Sequence, residues 1–184
     1  MTALFSIYDR VFALIERLLG AWFLPTLARF SFVAVLLHYF WNSAKTKIGD
    51  GFLGFLHPTD TAYIQIFPKA FEAAGYDSSA LSSFHWLVAV AGTCAEFILP
   101  MLILIGLLTR LAAIGMTGFI FVQSYVDLTG HGISADDFGT WFDGASDSLV
   151  MDQRLLWISI LAILIVKGAG PLSVDRVLKG LIRL

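Results

Sequence analysis

Cysteine is almost absent from this chain. Its single copy, Cys94, can form no disulfide within the chain and belongs to no CxxC redox or zinc pair. Charge is scarce too: 14% of the 184 residues are charged and the net charge is −2, which gives no electrostatic footprint for nucleic acid. No Ser–His–Asp pattern, phosphate-binding glycine loop or metalloprotease signature occurs, and no haem or flavin motif. Storage of electrons therefore needs a bound quinone, a metal or a partner subunit. The N-terminal stretch mixes acids with its apolar residues and lacks a small-residue cleavage site, so a removable signal peptide is not expected.

What is abundant is apolar surface. Hydrophobic residues make up 58% of the chain and the mean hydropathy is +0.79, more than a water-soluble domain of this size can cover with polar groups. A bilayer core of about 30 Å needs roughly 20 apolar residues per spanning helix. Four stretches approach that length, at 22–41, 84–105, 111–128 and 149–166. The last begins with Asp152, Gln153 and Arg154, which are expected at headgroup level. The fold class that follows is all-α: an integral membrane four-helix bundle forming one domain over 1–184. Residues 1–20 add an amphipathic interfacial helix, with Leu4, Ile7, Val11, Leu14 and Leu18 on one face. A second such stripe, Tyr63, Ile66, Phe67, Ala70 and Phe71, is interrupted by Pro68, so any helix there is broken.

With four spans, both termini and the turn at 106–110 share one side. Eight of the twelve basic residues fall there: Arg10, Arg17, Arg29, Arg110, Lys167, Arg176, Lys179 and Arg183. The other side keeps Lys45, Lys47, Lys69 and Arg154 beside most of the loop acids. That bias predicts cytoplasmic termini, with the two long loops on the other side.

Ionisable groups inside a membrane are costly and should find partners. Arg29 lies roughly 10 Å and Glu96 roughly 13 Å from the inner ends of their spans, by helical rise. Nearly level and opposite in charge, they are expected to form a buried ion pair, and they are the catalytic candidates. Nearer the outer face, His38 and Asp127 share a depth of roughly 24 Å. Gln123 lies one turn below Asp127, and Trp41 lies close by. These four are the candidate ligand-binding residues, suited to a quinone head group or to proton transfer. His38, His85, His131 and Asp127 are weaker metal candidates, since they come from separate segments with no HxxxH spacing. The four aspartates between His131 and Leu149 lack the spacing of an EF-hand and suit a solvated loop.

The block CAEFILPMLILIGLLTRLAAIGM resembles the signature of DoxX-type membrane proteins, in which a Glu is followed ten residues later by Gly and then by a Thr-Arg turn. Here these are Glu96, Gly106, Thr109 and Arg110. Arg29, a lysine after the first span (Lys45 or Lys47) and GAGPLSVD at 168–175 add to the likeness. Where the family has a glycine-rich patch after the Glu, this chain has Phe97, Ile98 and Leu99. The resemblance implies a four-helix membrane bundle and a quinone-linked redox role, as in the thiosulfate:quinone oxidoreductase branch. Membership of an oxidative-stress or metal-handling system, with another membrane or periplasmic redox subunit as partner, is also implied. The alternative is a non-enzymatic transporter or assembly anchor, alone or as an oligomer, since intramembrane acids and histidines also line ion paths.

Overall fold

The computed structural model describes residues 2–182, so Arg183 lies outside the described residues. Among these, four helices are long and apolar enough to cross a membrane: α2 (Phe23–Lys45), α5 (Ser83–Ile105), α6 (Thr109–His131) and α8 (Leu149–Lys167). Short helices fill the rest: α1 (Thr2–Leu19), α3 (Asp60–Ile66), α4 (Pro68–Ala73), α7 (Ala135–Phe138) and α9 (Val174–Ile182). Pro68 starts α4 after a break at Phe67, because proline fits a helix's first turn but not its interior.

The spans run up and down as a ring. α2 packs on α5 and α8, and α6 packs on the same two, so sequence neighbours are neighbours in space. Phe32, Leu36, Phe40, Ile103, Met116 and Leu161 interdigitate at the centre with essentially no exposure. Ala112 and Ala113 let α6 approach closely there, as small residues do between membrane helices. Outer faces carry Phe30, Val35, Leu111, Phe121 and Leu156, each at least 60% exposed, which is the surface lipid requires.

A second apolar cluster sits on the side of the long loops. Ala62, Tyr63 and Phe71 from α3 and α4 close over Ala89 of α5. The indole of Trp86 donates to the Leu56 carbonyl at 2.9 Å. On one face the first third of α5 therefore packs against loop segments, while Phe84 and Leu87 stay exposed. That packing decides which charges meet.

On the opposite face a clasp joins the span ends. α5 stops at Gly106, whose φ of +70° is the left-handed helix stop that glycine adopts freely. A side chain there would collide with Ser173 Cβ, 2.5 Å away. Leu108 also takes a positive φ, of 48°, and is held there by Asp175. The two oxygens of that carboxylate accept the backbone N–H groups of Leu108 and Thr109 at 2.8 and 3.0 Å, capping the start of α6. Ser173 caps α9, its hydroxyl accepting the Arg176 N–H at 3.3 Å.

α1 stands apart. Every side chain described from Leu4 to Leu19 is exposed, apolar and polar faces alike, as expected of a helix resting on a bilayer.

Candidate functional site

Three of the four spans contain a π-helical turn: Val33–Leu37 in α2, Asp127–His131 in α6 and Leu149–Gln153 in α8. Such a turn inserts one residue and rotates everything beyond it, and it recurs at functional sites. In α2 the buried stripe runs Pro25, Ala28, Phe32, Leu36 and then shifts to Phe40 and Ala44. The shift turns Tyr39 and Ser43 towards a cavity and leaves His38 exposed. All three π turns border this cavity, which occupies the loop-side half of the bundle with a volume of about 720 Å³.

Its walls are mainly apolar, with Leu36, Phe119, Val126 and Trp157 among them. Two ion pairs are set into them, one buried and one part-buried. At one end Lys47 Nζ lies 2.6 and 2.7 Å from the two oxygens of Glu96 and donates to Ser43 Oγ at 2.7 Å. Both side chains of the pair are less than 10% exposed. Lys47 turns inward because the loop after α2 is tied down. Thr59 donates through its N–H to the Lys47 carbonyl and through its hydroxyl to the Thr46 carbonyl, at 3.0 and 2.8 Å. Pro100, one turn after Glu96, has no N–H to return to the Glu96 carbonyl, so the helix is loosened beside the acid.

At the other end Arg154 of α8 pairs with Asp127 of α6 and donates to Ser124 Oγ. Between the two ends Gln123 donates to the Tyr39 hydroxyl at 2.8 Å. Two atoms of this group, Arg154 Nε and Gln123 Oε1, are buried with no hydrogen-bond partner among the described residues. One is a donor and the other an acceptor. Unsatisfied buried polar atoms carry a desolvation cost and need a reason.

The expected Arg29–Glu96 ion pair does not form. Arg29 instead caps two helix ends, donating to the carbonyls of Ile103 and Leu104 at the end of α5 and of Ala169 and Leu172 beyond α8. Cations are favoured there, where unpaired carbonyls gather. The sequence argument matched depths as though all spans were level, but α5 extends past α2 on the loop side, so Glu96 meets the end of α2. Arg154, in the first turns of α8, is 6% exposed, turned inward between α6 and α8 and not out to the surroundings. Of the two lysines matching the family position, Lys47 reaches the acid while Lys45 stays exposed.

Of the ligand candidates, Gln123 and Asp127 line the cavity. Trp41 instead donates to the Phe97 carbonyl at 3.3 Å, and His38 points outside. His131 lines the cavity with Nε2 3.1 Å from the Gln65 carbonyl, whereas His85 is held by Ser82 and Phe67. No group of three or more His, Cys, Asp or Glu side chains that could hold a metal occurs among the described residues. Sequence reading missed Lys47, Arg154, Tyr39 and Ser43. The signal for Lys47 was present, a lysine six residues past the expected span end at 41, where its long stem can fold back. Phe97–Leu99 do not fill the cavity. Leu99 packs across on Gly115 of α6, and Glu96 stays open to the space.

The DoxX family model matches residues 24–126, more than half of the chain. An uncharacterized protein of Haemophilus influenzae is 32% identical over 98 residues, which are 53% of this chain and 56% of that protein. The chain thus spans a little over half the length of this curated relative. No solved structure matches it. The matched segment holds Arg29, Lys47, Glu96, Gly106 and Gln123, while the Asp127–Arg154 pair lies just beyond it. Four apolar spans and a matching family model lead to one statement: this chain is a multi-pass membrane protein and belongs to the DoxX family.

Proposed function

We propose that the protein is an inner-membrane subunit that binds a quinone-class molecule in the loop-side cavity and serves a redox partner in the membrane or periplasm. The observation that carries this reading is the pairing of apolar walls with one unsatisfied donor and one unsatisfied acceptor beside a 720 Å³ space. That volume suits a head group of drug-like size. The cavity is not sealed, because Val35 and Val122 line it and are each at least 60% exposed.

The residues present fit such a molecule. Arg154 Nε can donate to a ring carbonyl and Gln123 Oε1 can accept from a ring hydroxyl, while Tyr39, Phe119 and Trp157 offer flat apolar contact. When bound, a quinone supplies two-electron, two-proton chemistry. The chain's own part is to bind, to orient and to move protons. Glu96 and Lys47 place a carboxylate and an amine in direct contact at one end of the cavity. Ser43 and Gln65 lead from that pair towards Thr46 at the outer surface, over steps of 3.3 to 3.5 Å.

The test is chemical. Protein purified in mild detergent is extracted with organic solvent and its quinone is measured against protein, with copper, zinc and iron determined on the same sample. About one quinone per chain is expected, falling at least several-fold in Gly92→Leu, whose side chain projects into the cavity. Absence of quinone from wild-type protein, before and after incubation with excess quinone, overturns the reading. A metal at whole-number stoichiometry would point to metal handling. Finding neither leaves a transporter or an assembly anchor.

A further inference from the structure

The densest positive charge on the molecule lies on the terminal face, away from the cavity. A cleft of about 510 Å³ runs between the start of α6, the end of α8 and α9, and Arg110, Lys167, Arg176 and Lys179 border it. The acid on its lining, Asp175, is already engaged by the backbone N–H groups of Leu108 and Thr109. Among the described residues none of the four cations takes part in an ion pair. Arg110 is anchored through one terminal nitrogen on the Val166 carbonyl at 3.0 Å, which holds its guanidinium over Gly168. Four cations converging on a cleft repel one another unless an anion joins them.

The rim supplies the second half of the argument. Trp22 and Leu111 line the cleft and are 48% and 64% exposed. On α9 the apolar face formed by Val177, Leu181 and Ile182 is more than 60% exposed throughout. An inorganic anion would satisfy the cations and leave this rim uncovered. A molecule with a phosphate at one end and hydrocarbon at the other satisfies both.

We propose that the cleft binds the head group of an anionic phospholipid, with its phosphate among Arg110, Lys167, Arg176 and Lys179. The acyl chains lie on Trp22, Leu111 and the apolar face of α9. Basic pockets between membrane helices bind lipid head groups by this combination of charge and adjacent hydrocarbon. The lipid would tie α9 to the ends of α6 and α8, on the same clasp that Asp175 and Arg29 close from within. This site is independent of any quinone in the cavity.

Native mass spectrometry of delipidated full-length protein, titrated with phosphatidylglycerol and separately with phosphatidylethanolamine, tests the proposal. Wild-type protein is expected to prefer phosphatidylglycerol by roughly 10-fold or more, because both lipids offer the phosphate but the ammonium of phosphatidylethanolamine is repelled by the four cations. Lys167→Gln/Arg176→Gln/Lys179→Gln, at exposed positions, should lose that preference while keeping its elution volume and helical content. Lys45→Gln/Lys69→Gln, on the opposite face, should retain it, and Lys179→Gln alone should fall between. Equal binding of the two lipids by wild type, or an undiminished preference in the triple variant, overturns the proposal. So does displacement of the lipid by equimolar inorganic phosphate, which would make this a free-anion site.

Discussion

Glu96 shows how a buried charge chooses its partner. Two cations were within reach of a sequence argument, and each turned out to have a distinct use. Arg29 satisfies carbonyls at two helix ends, which its five fixed donors suit, while Lys47 neutralises the acid as a compact charge on a flexible stem. A buried ion pair recovers its desolvation cost only narrowly, but removing one member strands the other. Lys47→Met and Glu96→Gln should therefore each destabilise the protein by about 3–5 kcal/mol in chemical or thermal unfolding in detergent. The combination Lys47→Met/Glu96→Gln should cost less than the sum of the two by at least about 1 kcal/mol, the signature of contacting residues. Arg29→Met combined with Glu96→Gln should instead be additive to within about 0.5 kcal/mol. Strong coupling in the second cycle and none in the first would restore the pairing that depth alone suggested. Residue types and their presence in the membrane were legible in the sequence. The pairing was not, because helical rise fixes depth along one span and says nothing of how far neighbouring spans slide.

Elements were the most legible level, since each span is set by the length of an apolar run and needs no tertiary information. The break at Pro68, the stop at Gly106 and the cap at Ser173 likewise follow from local chemistry. The three π turns did not, because a one-residue insertion leaves hydropathy almost unchanged while rotating the face beyond it. His38 was lost from the site for that reason, and Tyr39 and Ser43 entered it. The family-like motif residues Gly106, Thr109 and Arg110 turn out to serve the clasp between span ends. Gly106 is the strictest of them, with a left-handed backbone and both Ser173 and Arg29 within 3.1 Å of the position a Cβ would take. Gly106→Ala should destabilise the bundle by about 1–3 kcal/mol. Gly118→Ala is the matched control, in the interior of α6 with open space at the same position. It should be neutral or stabilising by up to about 1 kcal/mol, since alanine loses less backbone entropy in a helix. Comparable unfolding midpoints for the two variants would show that the clasp does not constrain the turn.

At the scale of the whole molecule the remaining quantity is its direction across the membrane, and the structure sharpens the charge argument. Two of the four cations counted against cytoplasmic termini, Lys47 and Arg154, are buried, their charges neutralised by Glu96 and Asp127. That leaves Lys45 and Lys69 exposed on the loop face, against Arg10, Arg17, Arg110, Lys167, Arg176 and Lys179 on the terminal face. The bias rises from eight against four in the sequence to six against two among exposed, described side chains. Lysine and arginine near span ends set orientation, and the intervening acids weigh little. The termini are therefore expected in the cytoplasm, with the cavity opening towards the periplasmic half of the bilayer. Single-cysteine variants in a Cys94→Ala background test this directly, using Phe142→Cys at the tip of the acidic loop and Gly180→Cys beside the apolar face of α9, both exposed. A membrane-impermeant maleimide should label Phe142→Cys in cells with a permeabilised outer membrane and an intact inner one. Gly180→Cys should react only once the inner membrane is opened. The reverse pattern would place the cavity in the cytoplasmic half, where a periplasmic redox partner could not reach it.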